Sequence, residues 1–492
     1  MSPQQTLNGK KINEKKHSIF DKKGLASLHR EIQGVYLSDN RPWVIGYSGG
    51  KDSTTALQLV WYALEELPEE KRTKPIFVIS SDTLVETPVI VDFITTTHDR
   101  INKAAAEKKM PIKAFKLTPR IPDSFWVNLI GKGYPAPSTQ FRWCTERLKI
   151  RTADRFILES VTKYGEVVMI LGVRKGESAT RDQVMNLYKI EGSKLSHHSR
   201  FAQSYVYTPI EEFSVDDVWT YLLQKPSPWG NNNRDLLALY KNAQDGECPL
   251  VVDTQTASCG NSRFGCWVCT VVQKDRSMEA LIENGEDWLE PLLDFRNELA
   301  ETQIPEKKHI YRDHRRMNGK IKGMKKGENW EIIRGPYKFE YSKEFLEKLL
   351  EAQQSVRKNG PNPNYTLILP EELFEIRRIW MTQRSDWDDS VAKIYKKVTG
   401  ETLDWTKDDL GTFSKNEQEL LKKICDKQKL PLRLVTKLMD VEQQMQGMTR
   451  RSSIYNKIGD VLSEDWLSEE ETKKQMATPD AVDTKRRSLR HL

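Results

Sequence analysis

The first third of the chain alternates between short apolar runs and stretches whose apolar residues recur at helical spacing. Trp43-Val44-Ile45-Gly46-Tyr47 is a β-prone run that breaks at Ser48-Gly49-Gly50. A helix-period stretch follows from Ser53 to Glu66, with Ala56, Leu57, Val60, Trp61 and Leu64 on one face. A second run, Ile76 to Ile79, ends in Ser80-Ser81-Asp82-Thr83 and leads into another helical stretch. Ile112 to Leu117 reads as a third strand and Val167 to Val173 as a buried fourth. Strands alternating with helices predict an α/β fold, a parallel sheet covered by helices on both faces. In such sheets the functional groups gather in loops at the carboxyl ends of the strands.

After about Ser227 the texture changes. Residues 228–270 are loop-rich, and from about 275 the chain reads as mostly helical and charged, with Trp288, Leu289, Leu292 and Leu293 opening one amphipathic stretch. Asn359-Gly360-Pro361, followed by Pro363, marks a break. The pattern divides the chain into a basic N-terminal extension (1–35), an α/β domain (36–227), a Cys-rich region (228–300), a helical basic region (301–467) and a frayed polar tail (468–492).

Composition narrows the class. The 492 residues carry 77 Lys+Arg against 70 Asp+Glu, a formal +7, with 30% charged and 38% hydrophobic residues, as in globular rather than fibrous proteins. The longest clearly apolar run, Val167 to Val173, is seven residues, too short to span a bilayer, so no membrane association is expected. The N-terminus has no apolar core of a secretory signal, so a cytoplasmic location and reduced thiols are expected for the six cysteines.

Candidate chemistry concentrates in four places. Ser48-Gly49-Gly50-Lys51-Asp52-Ser53, between a strand and a helix, is placed as a phosphate loop. Successive glycines let backbone N–H groups converge on an anion, and the helix N-terminus adds partial positive charge. Lys51 supplies a point charge, and Ser48 and Ser53 supply hydroxyls; the pattern is not the G-x-x-x-x-G-K-S/T loop of ATPases. Arg174 and Arg181 follow the fourth strand, where they can meet phosphate or sulfate oxygens, and Glu177 can orient an arginine or hold Mg²⁺.

Cys248, Cys259, Cys266 and Cys269 form C-x10-C-x6-C-x2-C, a metal site in a reducing compartment. Zn²⁺ and a [4Fe–4S] cluster both accept four thiolates, and spacing alone does not separate them. The single C-x-x-C, with Phe264 and Trp267 beside the ligands, suits a cluster. Cys144 stands among Arg142, Arg147 and Lys149, which are expected to lower its pKa; it reads as a sulfur relay or an ordinary buried thiol. Cys425 reads as structural.

The segment Glu306 to Lys326 holds nine cations (Lys307, Lys308, Arg312, Arg315, Arg316, Lys320, Lys322, Lys325 and Lys326) against Glu306 and Asp313, a net +7. With His309, Tyr311 and His314 interleaved and Gly319 and Gly323 loosening the backbone, it can track a phosphodiester backbone. A solvated basic loop, or a contact with an acidic partner subunit, is the alternative.

SGGKDS resembles the pyrophosphate-loop signature of the ATP pyrophosphatases (nucleotide α-hydrolases), which include the adenylylsulfate and phosphoadenylylsulfate reductases. Ser81-Asp82-Thr83 through Glu86-Thr87-Pro88 resembles their Asp-Thr motif, Gly172-Val173-Arg174 through Glu177-Ser178 and Arg181 their G-x-R…E-S…R loop, and Pro209-Ile210 with Val215 to Trp219 their closing helix. This covers about residues 40–225. Cys144 matches the point where reductases carry a Cys-Cys pair, with Trp143 in place of one of them.

Together with Glu247-Cys248-Pro249, the cysteine spacing and the long helical tail, the chain is similar to the DndC-type family of bacterial DNA phosphorothioation, or its relatives in the single-strand system. The resemblance implies a pyrophosphate-loop fold, ATP with Mg²⁺, a [4Fe–4S] cluster, and sulfur insertion into DNA with a cysteine desulfurase and other subunits of a DNA-modification complex as partners. It implies catalytic roles for Lys51, Asp52 and Cys144, and nucleotide contacts from Ser48 to Ser53, Asp82, Thr83, Gly172, Arg174, Glu177 and Arg181. An adenylylsulfate-type reductase, a tRNA thiolase and a nucleotide-sensing subunit of a defence complex are the other readings.

Overall fold

Four apolar runs become strands: β1 (Trp43–Gly46), β2 (Ile76–Ser81), β3 (Ile112–Leu117) and β4 (Val167–Ile170). The structure, a computed structural model, describes residues 18–176, 183, 185–242, 265–326, 329–405, 415–445 and 453–477. Two further strands, β5 (Ser196–His197) and β6 (Ser204–Tyr207), complete a six-stranded sheet in the order β3-β2-β1-β4-β6-β5. β1 runs parallel to β2 and β4, β4 runs parallel to β6, and the short β5 is antiparallel to β6.

The register explains why these strands read as nearly unbroken apolar runs. Trp43 and Ile45, with Ile76, Val78, Val168 and Ile170, enter one core, whereas Val44, Ile79, Val167 and Met169 enter another with Ile157. A strand buried on both faces has no polar side to show. The helix Lys51–Glu65 begins two residues earlier than its periodicity predicts and is buried on nearly all sides, down to Thr55 and Gln58, rather than along one face. Gln58 Nε2 meets its burial by donating to Asn233 Oδ1 at 3.1 Å.

The described chain forms two compact units. The first draws on residues up to 80, 90–117 and 155–264; the second draws on 81–89, 118–154 and 265 onward. In the first, the helix Leu25–Leu37 buries Leu28, Ile32 and Tyr36 in the sheet's core, so most of it belongs to the fold although the sequence reads it as an extension. The helix Asn233–Asn242 likewise falls in a stretch read as loop-rich.

The core of the second unit joins Phe125, Trp126, Leu129 and Ile130 to Trp267, Phe295, Phe345, Ile376 and Trp380. Helices that contribute to this core include Glu290–Glu301, Phe339–Asn359 and Pro370–Gln383. Both indoles keep their N–H satisfied: Trp126 donates to the Leu367 carbonyl at 2.6 Å and Trp380 to the Ile130 carbonyl at 3.0 Å.

Two elements here depart from expectation. An antiparallel hairpin, β7 (Gly323–Lys326) and β8 (Asn329–Ile332), lies in a region read as helical, because glycine weakens helix and Trp330-Glu331-Ile332 alternates with period two. The helix Glu469–Ala477 occupies the start of the stretch read as a frayed tail. No helix among the described residues is long and apolar enough to cross a membrane.

Candidate functional site

In the first unit, β1 ends at Gly46 and the chain turns through Ser48-Gly49-Gly50 into the helix Lys51–Glu65. This is the point where the sheet order reverses, between β1 and β4, the usual place for a ligand crevice. Gly49 has φ +75°, and a Cβ there would stand 2.5 Å from Ile94 Cδ1, so the turn requires glycine. Gly50 is the N-cap and provides no side-chain hydrogen bond to the first turn. Ser53 Oγ donates to the Gly50 carbonyl at 3.0 Å and lies 3.1 Å from Ser48 Oγ, which fixes the loop's width.

Asp52 is held between two cations. Arg174 Nε donates to Oδ1 at 2.7 Å and Lys51 Nζ to Oδ2 at 2.8 Å, with Arg174 only 7% exposed. Gly172 passes so close that a Cβ would lie 2.7 Å from the Asp52 carbonyl carbon. Thus Ser48 to Ser53, Gly172 and Arg174, singled out from separate motifs, come together. The local balance of two cations and one carboxylate, added to the helix dipole, favours a polyphosphate. Glu177 and Arg181 lie outside the described residues.

Sequence reasoning missed the layer beneath. Ser80 Oγ donates to the Tyr47 carbonyl at 2.6 Å and lies 2.8 Å from His98 Nε2. Burial, aided by Lys116, pushes His98 down to about 4, so the ring is neutral there. Burial pushes the Tyr47 phenol up to about 12. A lone histidine inside an amphipathic helix gives no local signal of this contact.

The second unit holds the thiols. The Asp82–Pro88 motif is hydrogen-bonded to the C-x-x-C turn: Trp267 N donates to the Val85 carbonyl at 3.0 Å, and Glu86 bridges Cys266. Thr83 Oγ1 lies 3.3 Å from Cys266 Sγ and donates to Glu86 Oε1 at 3.0 Å. Cys269 N donates to the Cys266 carbonyl at 3.0 Å, closing the turn. Thr83, expected on the nucleotide, therefore sits against a thiol. Asp82 Oδ1 accepts from Leu84 N at 2.9 Å.

Cys144 caps a π-helical turn, Thr145–Ile150, within electrostatic reach of both Cys266 and Cys269. Its expected low pKa is corrected by the structure: burial raises it, Cys269 raises it further, and Lys149 offsets this only in part. Burial, with Glu86 beside it, also pushes the Cys266 thiol up. Arg296, 1% exposed and unremarked in the sequence, pins the turn by donating to the carbonyls of Cys269 (3.0 Å) and Gln273 (2.9 Å), and to that of Val272.

Cys248 and Cys259 lie outside the described residues. Among the described residues, no group of three His, Cys, Asp or Glu side chains is arranged to hold a metal ion. The donors at the turn are nonetheless soft thiols on a C-x-x-C, the chemistry that zinc or an iron–sulfur cluster selects.

The basic segment is divided by what it touches. Arg312 donates to the carbonyls of Gly335 (2.8 Å) and Arg334 (2.6 Å), and Lys307 pairs with Glu301. The stretch 463–469 lies along the other cations. Lys320 donates to the Ser463 carbonyl, Arg315 Nη1 donates to the Asp465 carbonyl at 3.5 Å, and the Arg315 guanidinium stacks 5.6 Å from the Trp466 ring. Asp465 accepts from Ile321 N at 2.7 Å, and Arg334 grips Glu469 through two bonds of 2.8 and 2.7 Å, which pull Glu469 down to about 2. Arg316, Lys322 and Lys325 remain exposed and Lys308 partly so; nothing is described of the Lys326 side chain.

Residues 42–272 match the phosphoadenosine phosphosulfate reductase domain, so this part of the chain is similar to a domain of that kind. An uncharacterized protein of Methanocaldococcus jannaschii is 26% identical over 243 residues, 49% of this chain and 39% of that protein. The match thus takes in about two fifths of that relative's length. The phosphoadenylyl-sulfate reductase of Candida auris, in its phosphate complex, is similar with 15% identity and a TM-score of 0.28, over 45% of this chain and 87% of that one. The U34-tRNA thiolase NcsA of Methanococcus maripaludis, with its [4Fe-4S] cluster, is similar with 15% identity and a TM-score of 0.26, over 58% and 79%.

Proposed function

We propose that this chain is an ATP-dependent sulfurtransferase that replaces a non-bridging oxygen of the DNA backbone with sulfur, releasing pyrophosphate. The observation that carries the reading is Asp52 clamped between Lys51 and Arg174 in a glycine loop at the carboxyl end of β1, inside a phosphosulfate reductase-like domain. In this reading the loop amides and Lys51 hold the β- and γ-phosphates of ATP. A non-bridging phosphate oxygen attacks the α-phosphorus, the bond to the β-phosphate breaks, and pyrophosphate leaves. The backbone oxygen, now carrying AMP, has become a leaving group.

Cys144, charged as a persulfide by a cysteine desulfurase, attacks the phosphorus with its terminal sulfur, and AMP departs. A second thiol then attacks Cys144 Sγ, forming a disulfide and leaving the phosphorothioate on DNA. Cys266 and Cys269, with Cys248 and Cys259, would hold the iron–sulfur cluster or zinc; a cluster, when bound, supplies a place to deliver or position sulfur. Mg²⁺, entering with ATP, offsets repulsion between the two phosphate-bearing reactants.

Pyrophosphate release from ATP in the presence of DNA and the partner subunits tests the first step, and Lys51→Ala should abolish it. Mass spectrometry of host DNA should find phosphorothioate dinucleotides only where the protein is present; their absence would overturn the reading. The domain match also favours a phosphosulfate-type reductase, for which sulfite release from phosphoadenylylsulfate, without any nucleic-acid product, would be diagnostic.

A further inference from the structure

The proposed chemistry leaves the β7–β8 hairpin without a role. Its register pairs Lys325 with Trp330, and partners across a ladder project from the same face. The next pair on that face is Gly323 with Ile332, so glycine leaves the surface beside the indole low. Trp330 is 41% exposed, an unusual setting for so large an apolar ring. Lys325 on the hairpin, and Lys322 and Arg316 before it, are exposed as well. The stretch 463–469 engages Arg315, Lys320 and His314, and so leaves this second group of cations outward.

An exposed aromatic ring among cations is the arrangement that binds a strand whose bases are unpaired: the ring stacks on a base face and the cations meet the flanking phosphates. A duplex keeps its base faces covered and offers such a ring nothing. We propose that the hairpin face of Trp330 and Lys325 binds single-stranded nucleic acid, with Trp330 stacking on an unpaired base and the exposed Lys322 and Arg316 just before the hairpin adding positive charge beside it. The proposal rests on the nucleic-acid substrate inferred above and specifies its strandedness.

Fluorescence anisotropy of the full chain against a labelled single-stranded oligodeoxynucleotide, its duplex and an abasic strand of equal length, over a salt series, tests it. The single strand should bind tighter than both other probes. Trp330→Ala should weaken it about tenfold at unchanged salt slope, because the lost contact carries no charge. Trp330→Phe should retain most of the affinity. Lys325→Ala should instead reduce the slope of log K against log salt by about 0.7. On the abasic strand Trp330→Ala should change nothing.

If the chain binds the single strand but Trp330→Ala binds it equally well, or if duplex and single strand bind alike, the stacking proposal is overturned while the nucleic-acid reading stands. If no probe binds and an acidic polypeptide does, the nucleic-acid reading falls and this inference falls with it.

Discussion

Gly172→Ala adds one methyl group against the backbone of Asp52 and Ser53. The new Cβ would sit 2.7 Å from the Asp52 carbonyl carbon and oxygen and 2.8 Å from Ser53 N, all atoms that cannot rotate away. Ordinary contact begins near 3.4 Å, so the loop after β4 and the first turn of the helix must part by about 0.7 Å. Gly172 does not use the left-handed region, so alanine adds no conformational strain of its own. The cost is overpacking, about 1–3 kcal/mol, a loss of a few degrees in melting temperature. The functional loss should be larger, because displacing a phosphate loop by a good part of an ångström is worth up to roughly 100-fold in rate. Thermal unfolding by circular dichroism alongside pyrophosphate release should therefore show a protein that melts a few degrees early and turns over at least tenfold slower. Wild-type turnover with an unchanged melting temperature would refute the reasoning, since the loop after β4 could not then press on Asp52.

Three other perturbations separate the roles assigned above. Cys144→Ser should leave pyrophosphate release intact and abolish phosphorothioate formation; full sulfur transfer would remove Cys144 from the path. Arg296→Met strips donors from the carbonyls of Cys269, Val272 and Gln273. It should cost about 2–4 kcal/mol in urea unfolding and raise hydrogen exchange at 266–273, and unchanged exchange there would argue against the pin. His98 is neutral and buried, with its pKa held at about 4 against an ordinary 6.5. The unfolded chain takes up that proton first as pH falls, so its share of stability is whole above pH 6.5 and drains toward pH 4, by at most about 3 kcal/mol. His98→Gln, which keeps a partner for Ser80, should flatten the decline in urea midpoint between pH 6.5 and 4.

What the sequence revealed tracks how local each signal is. β1 to β4 and the Ser48–Ser53 loop announce themselves within a few residues, as apolar runs and a glycine pair placed before a helix. β6 is four residues, Ser-Tyr-Val-Tyr, with two only half-buried, and it becomes a strand by pairing with β4 across the intervening chain. The contact of Thr83 with Cys266 spans 183 positions and has no local trace, so two motifs read separately prove to touch. Cys144 shows the converse error. Its sequence neighbours are cations, but its spatial neighbours are a thiol and an apolar core, and these set its acidity. In the basic segment the charge total was legible and its division was not. The partners of Arg315 and Lys320 lie about 150 and 143 residues downstream, so counting cations overstated how many face solvent.

The second unit is assembled from three separate stretches of chain, and this has a consequence for its synthesis. Phe125, Trp126, Leu129 and Ile130 leave the ribosome early, yet the Leu367 carbonyl that receives the Trp126 indole emerges 241 residues later. At ordinary elongation speeds that interval is roughly 10–50 s, during which this apolar segment has only the cover of nearer core partners such as Trp143 and Leu148. A nascent chain of this protein should therefore be a chaperone client between the emergence of its sheet and that of its last helices. A chain ended near residue 270 would lack Phe295, Phe345, Ile376 and Trp380 of the same core, so the helical region that follows cannot be removed as an appendage: it completes the core that Phe125 and Trp126 enter.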